Sequence, residues 1–284
     1  MSWGATPGGV KVEGEVEWVR KPTPPGKRLT GQVALITGSG RGFGRETARV
    51  FAEEGADVII NDLGDPESKR MGEETVKAIK AIGRKSAFIP CDIMKWDEVK
   101  AMAEKVWKEF GHCDILVNNA GSTAGDVMSF RELNQRSIDH TLDLDIKGTL
   151  YCTHEFGIRM LDRQKSGAIV NVCSNVVSTG SPRAPHYAAA KYGVLGLTKS
   201  YALALAPYVR VNAIGPGYME TEALMKRKDW TPERKKYLLS VTPSKSMGRV
   251  PNIAHIVAFL ASQDSFHMTG NLVICDGGFS MPGA

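Results

Sequence analysis

Tyr187 and Lys191 stand four residues apart in the Ala- and Leu-rich stretch HYAAAKYGVLGLTKSYALALA. This composition predicts a helix, in which side chains at i and i+4 project from the same face. A lysine ammonium beside a phenol favours the phenolate form, so we expect the pKa of Tyr187 to fall below its usual value of ~10. Such a tyrosine can exchange a proton with a carbonyl–alcohol pair as a general acid or base. Taken alone, however, a Tyr-x-x-x-Lys spacing is more often a solvated helix face.

A glycine-rich segment, TGSGRGFG from Thr37 to Gly44, lies between the apolar run VALIT and the helical stretch ETARVFAEEGA. Such a turn lets backbone amides approach a pyrophosphate at the positive end of a helix. Asp62 follows Gly44 by 18 residues, close to the ~20 expected of a carboxylate that binds adenosine ribose hydroxyls. This pattern predicts a dinucleotide site. The alternatives are a tight turn without a ligand and, for Asp62, a residue of a strand-end turn.

The elements that must position these residues are short β-branched runs that alternate with longer helical stretches from Gly31 onward. The predicted strands are VALIT (33–37), DVII (57–60), SAFI (86–89), DILVNN (114–119), AIVNV (168–172), VRVNAI (209–214) and NLVI (271–274). Near-continuous apolar runs are typical of strands buried on both faces. We therefore predict an α/β protein with a single Rossmann-like, doubly wound parallel sheet and helices on both of its faces.

The N-terminal segment differs in composition from the rest of the chain, and we predict an N-terminal extension (1–28) before a Rossmann-fold domain (29–284). Within the extension, apolar residues recur at even positions, which would form one face of a strand: Val10, Val12, Val16 and Trp18. An isolated strand needs a partner surface, so this segment would dock as an arm. A disordered tail is the alternative, because the segment is rich in Gly and Pro.

Composition excludes several classes of protein. The chain has 284 residues, 42% of them hydrophobic, which is ample for a buried core. Its sequence lacks an apolar run near the ~18 residues of a membrane span and has no secretory signal. The five cysteines are scattered, which argues against disulfides and a zinc site and favours a reducing, cytoplasmic location. A net charge of +5 is too mild to suggest nucleic acid.

Three motifs, TGxxxGxG (37–44), NNAG (118–121) and YxxxK (187–191), follow one another along the chain. In order and spacing they resemble the short-chain dehydrogenase/reductase family, and the resemblance spans roughly residues 30–284. It implies an NAD(P)-dependent oxidoreductase that interconverts a secondary alcohol and a ketone by hydride transfer, without a metal ion. Its partners would be a small-molecule substrate and further copies of the chain, as a dimer or tetramer, through the helices that carry Asp145 and Tyr187.

The resemblance also implies catalytic roles. Tyr187 would be the general acid/base, and Lys191 would assist it and hold the nicotinamide ribose. Ser174, which lies 13 residues before Tyr187, would hydrogen-bond the reacting oxygen; a strand-terminating turn serine is the alternative.

Asp145, in LDLDIKGT (142–149), occupies the position at which the family usually has an Asn that holds a water beside the catalytic lysine. A carboxylate there would stabilise the Lys191 ammonium and alter the proton balance of Tyr187. We expect either a shifted pH optimum or weaker catalysis. The alternative is an error of register that leaves Asp145 exposed.

The cofactor contacts that the resemblance implies follow the ends of the strands. They are Gly38, Arg41, Gly42, Phe43, Gly44, Asp62, Asp92, Ile93, Asn119, Ala120, Gly121, Tyr187, Lys191, Pro216, Gly217, Met219 and Thr221. Asp62 would repel a 2′-phosphate, so NAD is favoured over NADP, although the guanidinium of Arg41 could pair with such a phosphate.

Two other functions remain open: an NADPH-dependent 3-oxoacyl reductase and a catalytically silent cofactor-binding subunit. Substrate specificity is expected in two loops, from Asn175 to Pro185 and over 218–248. The second loop carries a basic run, and we interpret it as a solvated amphipathic face rather than an anion-binding surface: Lys226, Arg227, Lys228, Arg234, Lys235 and Lys236.

Overall fold

Seven runs of β-branched and aliphatic residues form the strands of one sheet in the computed structural model, which describes residues 27–121, 129–227 and 229–281. The strands are β1 (Val33–Ile36), β2 (Asp57–Asp62), β3 (Ser86–Pro90), β4 (Ile115–Asn118), β5 (Gly167–Val172), β6 (Val209–Pro216) and β7 (Leu272–Cys275). All seven predicted runs are confirmed as strands, with differences at their ends. The strand predicted in the N-terminal extension lies outside the described residues.

The strand order is β3-β2-β1-β4-β5-β6-β7, and every neighbouring pair is parallel. The chain winds outward from β1 to β3, crosses back to β4, and then winds the other way. Because parallel strands need crossover connections, helices cover both faces of such a sheet. The predicted doubly wound parallel sheet is confirmed. Its switch point lies between β1 and β4, where sheets of this type bind ligands at the carboxyl ends of the strands.

The helices fill the intervals between the strands. They are α1 (Gly42–Glu53), α2 (Pro66–Ala81), α3 (Trp96–Phe110), α4 (Gln135–Leu142), α5 (Gly148–Asp162), α6 (Val176–Thr179), α7 (Pro185–Ala204), α8 (Glu222–Met225), α9 (Pro232–Val241) and α10 (Val250–Ala261). One turn of π-helix, Asp143–Lys147, joins α4 to α5. Of the apolar clusters that result, one includes Phe51 of α1 and Val257 of α10, and another includes Val99 of α3 and Phe156 of α5. A smaller cluster includes Val177 of α6 and Val194 of α7.

A buried chain of polar side chains ties the catalytic half of the sheet to its helices. Asn118 on β4 donates from Nδ2 to Asn171 Oδ1 on β5 (2.8 Å) and to Thr153 Oγ1 on α5 (2.9 Å). Asn171 Nδ2 in turn donates to Thr198 Oγ1 on α7, at 2.9 Å. Hydrogen bonds between buried amides and hydroxyls fix the register of the elements they join. The network therefore positions α7 relative to the ends of β4 and β5.

Among the described residues, no helix combines the length and the apolar character that a membrane crossing requires.

Candidate active site

The glycine-rich turn after β1 has the backbone that its sequence requires. Gly38 and Gly42 adopt φ values of +61° and +57°, the left-handed region that favours glycine. A Cβ on Gly38 would lie 2.9 Å from Ala120 Cα, and one on Gly44 would lie 2.4 Å from the carbonyl oxygen of Gly38. The turn therefore leads into α1 without side chains at these two positions, and the N-terminal amides of α1 can receive an anionic group.

Asn119 fixes this turn to the end of β4. Its Nδ2 donates to the carbonyl oxygens of Thr37 (2.8 Å) and Gly38 (3.0 Å). The backbone amides of Asn119 and Ala120 both donate to Thr37 Oγ1, at 3.0 Å each. The structure thus brings the first two predicted motifs together at the switch point of the sheet.

Asp62 ends β2 beside the same turn. Its Oδ2 accepts a hydrogen bond from the backbone amide of Gly40 at 3.1 Å, and its Oδ1 accepts one from Leu63 at 3.0 Å. A Cβ on Gly40 would lie only 2.8 Å from Asp62 Oδ2, so the carboxylate packs directly on the glycine-rich turn. Arg41 is exposed at the N-cap of α1 and makes no side-chain capping bond. The carboxylate of Asp62 is therefore fixed against the glycine-rich turn, whereas the guanidinium of Arg41 lies on the surface.

Three other predicted cofactor contacts, Phe43, Asp92 and Ile93, lie near the same turns. The side chains of Phe43 and Ile93 are buried in the two larger apolar clusters, so only their backbone atoms are available to a ligand. Ile93 packs on Gly148, where a Cβ would lie 2.6 Å from Ile93 Cδ1. Asp92 accepts a hydrogen bond from the amide of Met94 at 3.0 Å, which orders the turn that follows β3.

Ser174, Tyr187 and Lys191 meet beyond the end of β5. Ser174 follows that strand directly, and the other two residues lie on α7, which begins at Pro185, a residue well suited to a first helical position. Ser174 and Tyr187 both line the same cavity, and the Ser174 hydroxyl lies close enough to lower the pKa of the phenol. Lys191 Nζ lies 5.6 Å from the centroid of the Tyr187 ring. The predicted catalytic residues are thus brought together.

Asp145 completes this cluster from the π turn. Its Oδ1 accepts a hydrogen bond from Lys191 Nζ at 3.3 Å, and the carbonyl oxygen of Val172 accepts a second at 3.2 Å. Asp145 is 1% exposed and Lys191 is 5% exposed, so the pair is buried. A Cβ on Gly121 would lie 2.6 Å from Asp145 Oδ1, which explains the glycine of the NNAG motif. The alternative of an exposed Asp145 is excluded.

The expected fall in the pKa of Tyr187 is wrong for the chain without ligands. Burial raises the pKa of this phenol, and the carboxylate of Asp145 raises it further. Lys191 and Ser174 act in the opposite direction and do not outweigh these effects. Burial disfavours the charged form of Lys191, but Asp145 and Tyr187 more than offset it and raise the pKa of the ammonium. Lys191 is therefore a firmly protonated donor.

The segment GPGYMET (215–221), which includes the last two residues of β6, lies beside the catalytic residues. Pro216 ends β6, and its carbonyl oxygen accepts a hydrogen bond from the amide of Asn175 at 3.0 Å. A Cβ on Gly217 would lie 2.5 Å from Asp276 Cβ, so only glycine fits. Thr221 caps α8 by accepting from the amide of Leu224 at 3.2 Å, which leaves its own O–H free to donate. Met219 pairs with Gly248 in an isolated bridge.

A cavity of about 440 Å³ connects the catalytic residues with both predicted specificity loops. Ser174 and Tyr187 line it together with Asn175, Val176, Thr179, Gly180, Ser181, Pro182, Arg183, Gly217, Tyr218, Met219, Thr221, Leu224, Arg227, Arg234 and Phe279. Asn175 donates from Nδ2 to Asp276 Oδ2 at 3.2 Å, which fixes its amide at the wall.

The solvated-face interpretation of the basic run is correct for Lys226, whose side chain is 80% exposed. It is wrong for Arg227 and Arg234, which are 18% and 21% exposed and line the cavity. Arg227 and Arg234 both donate to Asp229, which also accepts a hydrogen bond from Arg183, 46 residues earlier in the chain. Sequence patterning does not reveal this long-range contact.

No group of three or more His, Cys, Asp and Glu side chains in the described ranges is arranged to hold a metal ion.

Comparison with known proteins agrees with this geometry. Residues 32–232 match the profile of the short chain dehydrogenase family. A 3-oxoacyl-[acyl-carrier-protein] reductase of Staphylococcus aureus is 39% identical over 249 residues, which cover 87% of this chain and 98% of that protein.

Two solved structures have the same fold. A gluconate 5-dehydrogenase from Burkholderia cenocepacia, in complex with NADP and tartrate, superposes with a TM-score of 0.82 at 29% identity, over 90% of this chain and 97% of that one. A short-chain type dehydrogenase/reductase from Mycobacterium marinum gives a TM-score of 0.79 at 29% identity, over 90% and 98%.

The chain belongs to the short-chain dehydrogenase/reductase family. It is therefore an oxidoreductase of a class that binds a nicotinamide cofactor. The residues present fit such a cofactor: Gly42, at the N-terminus of α1, faces open space with no atom within 4 Å of a Cβ placed on it, and the carboxylate of Asp62 stands beside the same turn.

Proposed function

We propose that the protein interconverts a secondary alcohol and a ketone with NAD as the hydride carrier. The observation that carries this proposal is the convergence of Ser174, Tyr187 and Lys191 beside the cavity. When bound, the nicotinamide supplies the hydride acceptor or donor. Tyr187 exchanges the proton of the reacting oxygen, and the Ser174 hydroxyl holds that oxygen in place.

Lys191 supports Tyr187 through its buried ammonium, which lies 5.6 Å from the centroid of the Tyr187 ring. Its ammonium donates to Asp145 and Val172, and its third N–H remains to bind a ribose hydroxyl. A permanently protonated lysine also stabilises the phenolate that forms when Tyr187 gives up its proton. Without substrate and cofactor, burial keeps Tyr187 in its neutral form, ready to act as the acid in ketone reduction.

The preference for NAD is supported by the position of Asp62, whose carboxylate would face a 2′-phosphate. The related gluconate 5-dehydrogenase was crystallised with NADP, and the 39% identity to a 3-oxoacyl-[acyl-carrier-protein] reductase favours a second candidate, an NADPH-dependent 3-oxoacyl reductase. The two candidates differ in the cofactor and in the substrate that they would turn over. We further propose a cytoplasmic location, since all five cysteines are free thiols.

The function is tested by substituting the proton donor. We expect Tyr187→Phe to lose turnover by about 10²-fold or more, the usual loss when a general acid/base is removed, while nicotinamide fluorescence reports unchanged cofactor binding. Tyr192→Phe is the matched control, because Tyr192 lies on the same helix and is 52% exposed. Retained turnover in Tyr187→Phe would exclude the assignment of this residue.

Wild-type protein is assayed against a panel of secondary alcohols with NAD and of ketones with NADH. If it binds the cofactor but turns over no member of the panel, the catalytically silent subunit replaces the enzyme as the better explanation.

A further inference from the structure

Three arginines from different parts of the chain meet at the wall of the cavity. Arg183 lies in the loop before α7, Arg227 follows α8, and Arg234 lies in the first turn of α9. All three donate to the carboxylate of Asp229: Arg183 through Nη1 at 2.9 Å, Arg227 through Nε and Nη2 at 2.9 and 3.0 Å, and Arg234 through Nη1. We call these four residues the arginine cluster.

The arginine cluster is electrostatically incomplete. Three guanidinium charges face one carboxylate charge, so two positive charges stay in excess. The residues that line the cavity within the described ranges include the three arginines but no Asp or Glu. Arg234 also lies at the N-terminal end of α9, where the helix dipole disfavours a cation. A further anion at the cavity wall would balance this excess positive charge.

The arginines also have unused donors. A guanidinium carries five N–H groups in a rigid fork that matches carboxylate and phosphate oxygens. Asp229 takes one N–H from Arg183, two from Arg227 and one from Arg234. Arg234 Nη1 also approaches the backbone oxygen of Asp229, at 3.4 Å. Asp229 therefore orients the three forks without saturating them.

We propose that the arginine cluster binds an oxoanion group of the substrate, a carboxylate or a phosphate, while the carbinol or carbonyl carbon of the same molecule lies at Tyr187. This inference rests on the proposed function, and it assigns the substrate class: secondary alcohols or ketones that carry an anionic group. Asp229 acts as a positioning residue, because it orders the three guanidinium groups and does not itself line the cavity.

The test compares each substrate with a neutral analogue of the same shape. Hydroxy acids of increasing length, beginning with 3-hydroxybutyrate, are assayed beside their amides, such as 3-hydroxybutanamide. A parallel series of hydroxyalkyl phosphates distinguishes phosphate from carboxylate as the preferred anion. We expect the anionic member to have the higher kcat/KM. Equal kcat/KM values for charged and neutral members in both series would overturn the proposal.

Variants assign the preference to the cluster. We expect Arg234→Gln and Arg183→Gln each to reduce the ratio of kcat/KM for the anion to that for the amide by about tenfold, as loss of one charge-assisted hydrogen bond should. Lys226→Gln, the matched control, removes the same charge from an exposed position on the same segment and should leave the ratio unchanged.

Asp229→Asn separates a charge effect from a structural one. It removes the competing negative charge but keeps an acceptor, so we expect the anion-to-amide ratio to rise. If the cluster served only to hold the loop, each of these variants would weaken the anion and the amide equally, and the ratio would not move. That result would contradict the proposal.

Calorimetry provides a readout that does not depend on turnover. Succinate and inorganic phosphate are titrated into the wild type, Arg234→Gln and Lys226→Gln, with succinamide as the neutral control. Binding that Arg234→Gln abolishes and Lys226→Gln retains supports the oxoanion site even if every alcohol assay fails, a failure that would count against the proposed function alone. Binding that is absent, or that Arg234→Gln leaves unchanged, refutes the oxoanion site.

Discussion

At the scale of single residues, we propose that the carboxylate of Asp62 sets the preference between NAD and NADP. It lies against Gly40, so a 2′-phosphate on the adenosine ribose would meet an unneutralised negative charge. We expect NAD to exceed NADP in kcat/KM by at least about tenfold, or ~1.4 kcal/mol. Asp62→Ala should erode this preference, and Glu67→Gln, an exposed acidic position nearby, should not. A wild type that prefers NADPH would show that Arg41 outweighs Asp62.

Asp145 is the second residue whose charge has a measurable consequence. Its carboxylate contributes to raising the pKa of Tyr187 and of Lys191. Alcohol oxidation needs Tyr187 as a base, so the rate rises with pH as the phenol loses its proton. Asp145→Asn removes the negative charge and keeps an acceptor for Lys191, which lowers the pKa of Tyr187.

The rising limb of log(kcat/KM) against pH should therefore move to lower pH in Asp145→Asn. A purely structural role for Asp145 would lower the rate at every pH without moving this limb. A rising limb that stays at the same pH would therefore contradict an electrostatic role for Asp145.

At the scale of elements, the sheet was predictable and the π turn was not. Strands buried on both faces carry continuous β-branched runs, so all seven could be located before the structure was known. Their ends differ by a few residues: β2 runs on to Asp62 and β6 to Pro216. The π turn leaves no comparable mark in the sequence, because one turn with i→i+5 bonds disturbs a helical pattern very little. Asp145 was found only because the family resemblance supplied its register.

The cavity wall was predictable only as a pair of loops. The inward orientation of Arg227 and Arg234 depends on Asp229, and Asp229 also binds Arg183, which lies 46 residues earlier in the chain. A local pattern contains no information about such a contact, so the basic run was interpreted as solvated. The same holds for the amide chain from Asn118 to Thr198, since asparagines within apolar strands do not reveal their partners. Sequence thus predicted that Ser174, Tyr187 and Lys191 would lie together, but not which side chains line the cavity beside them.

At the scale of the whole molecule, we propose a homo-oligomer built on the helices that carry the site. Large apolar side chains are exposed on these helices: Ile158 on α5 is 43% exposed, and Leu203 on α7 is 66% exposed. Positions beside them pack inward: a Cβ on Gly157 of α5 would lie 3.0 Å from Cδ1 of Leu205, the residue that follows α7. Exposed apolar residues next to a packed pair of helices are typical of an interface between copies of a chain.

We expect sedimentation at micromolar concentration to show a species of at least twice the 30.8 kDa of one chain. Substituting both Ile158 and Leu203 by Lys should dissociate this species, because each lysine would bring an unpaired charge into a desolvated interface. Ile82→Lys is the control, since Ile82 is 38% exposed but follows α2, away from both helices. A single-chain species in the wild type would refute the oligomer. An assembly that the double substitution leaves intact would show that the copies meet through another surface.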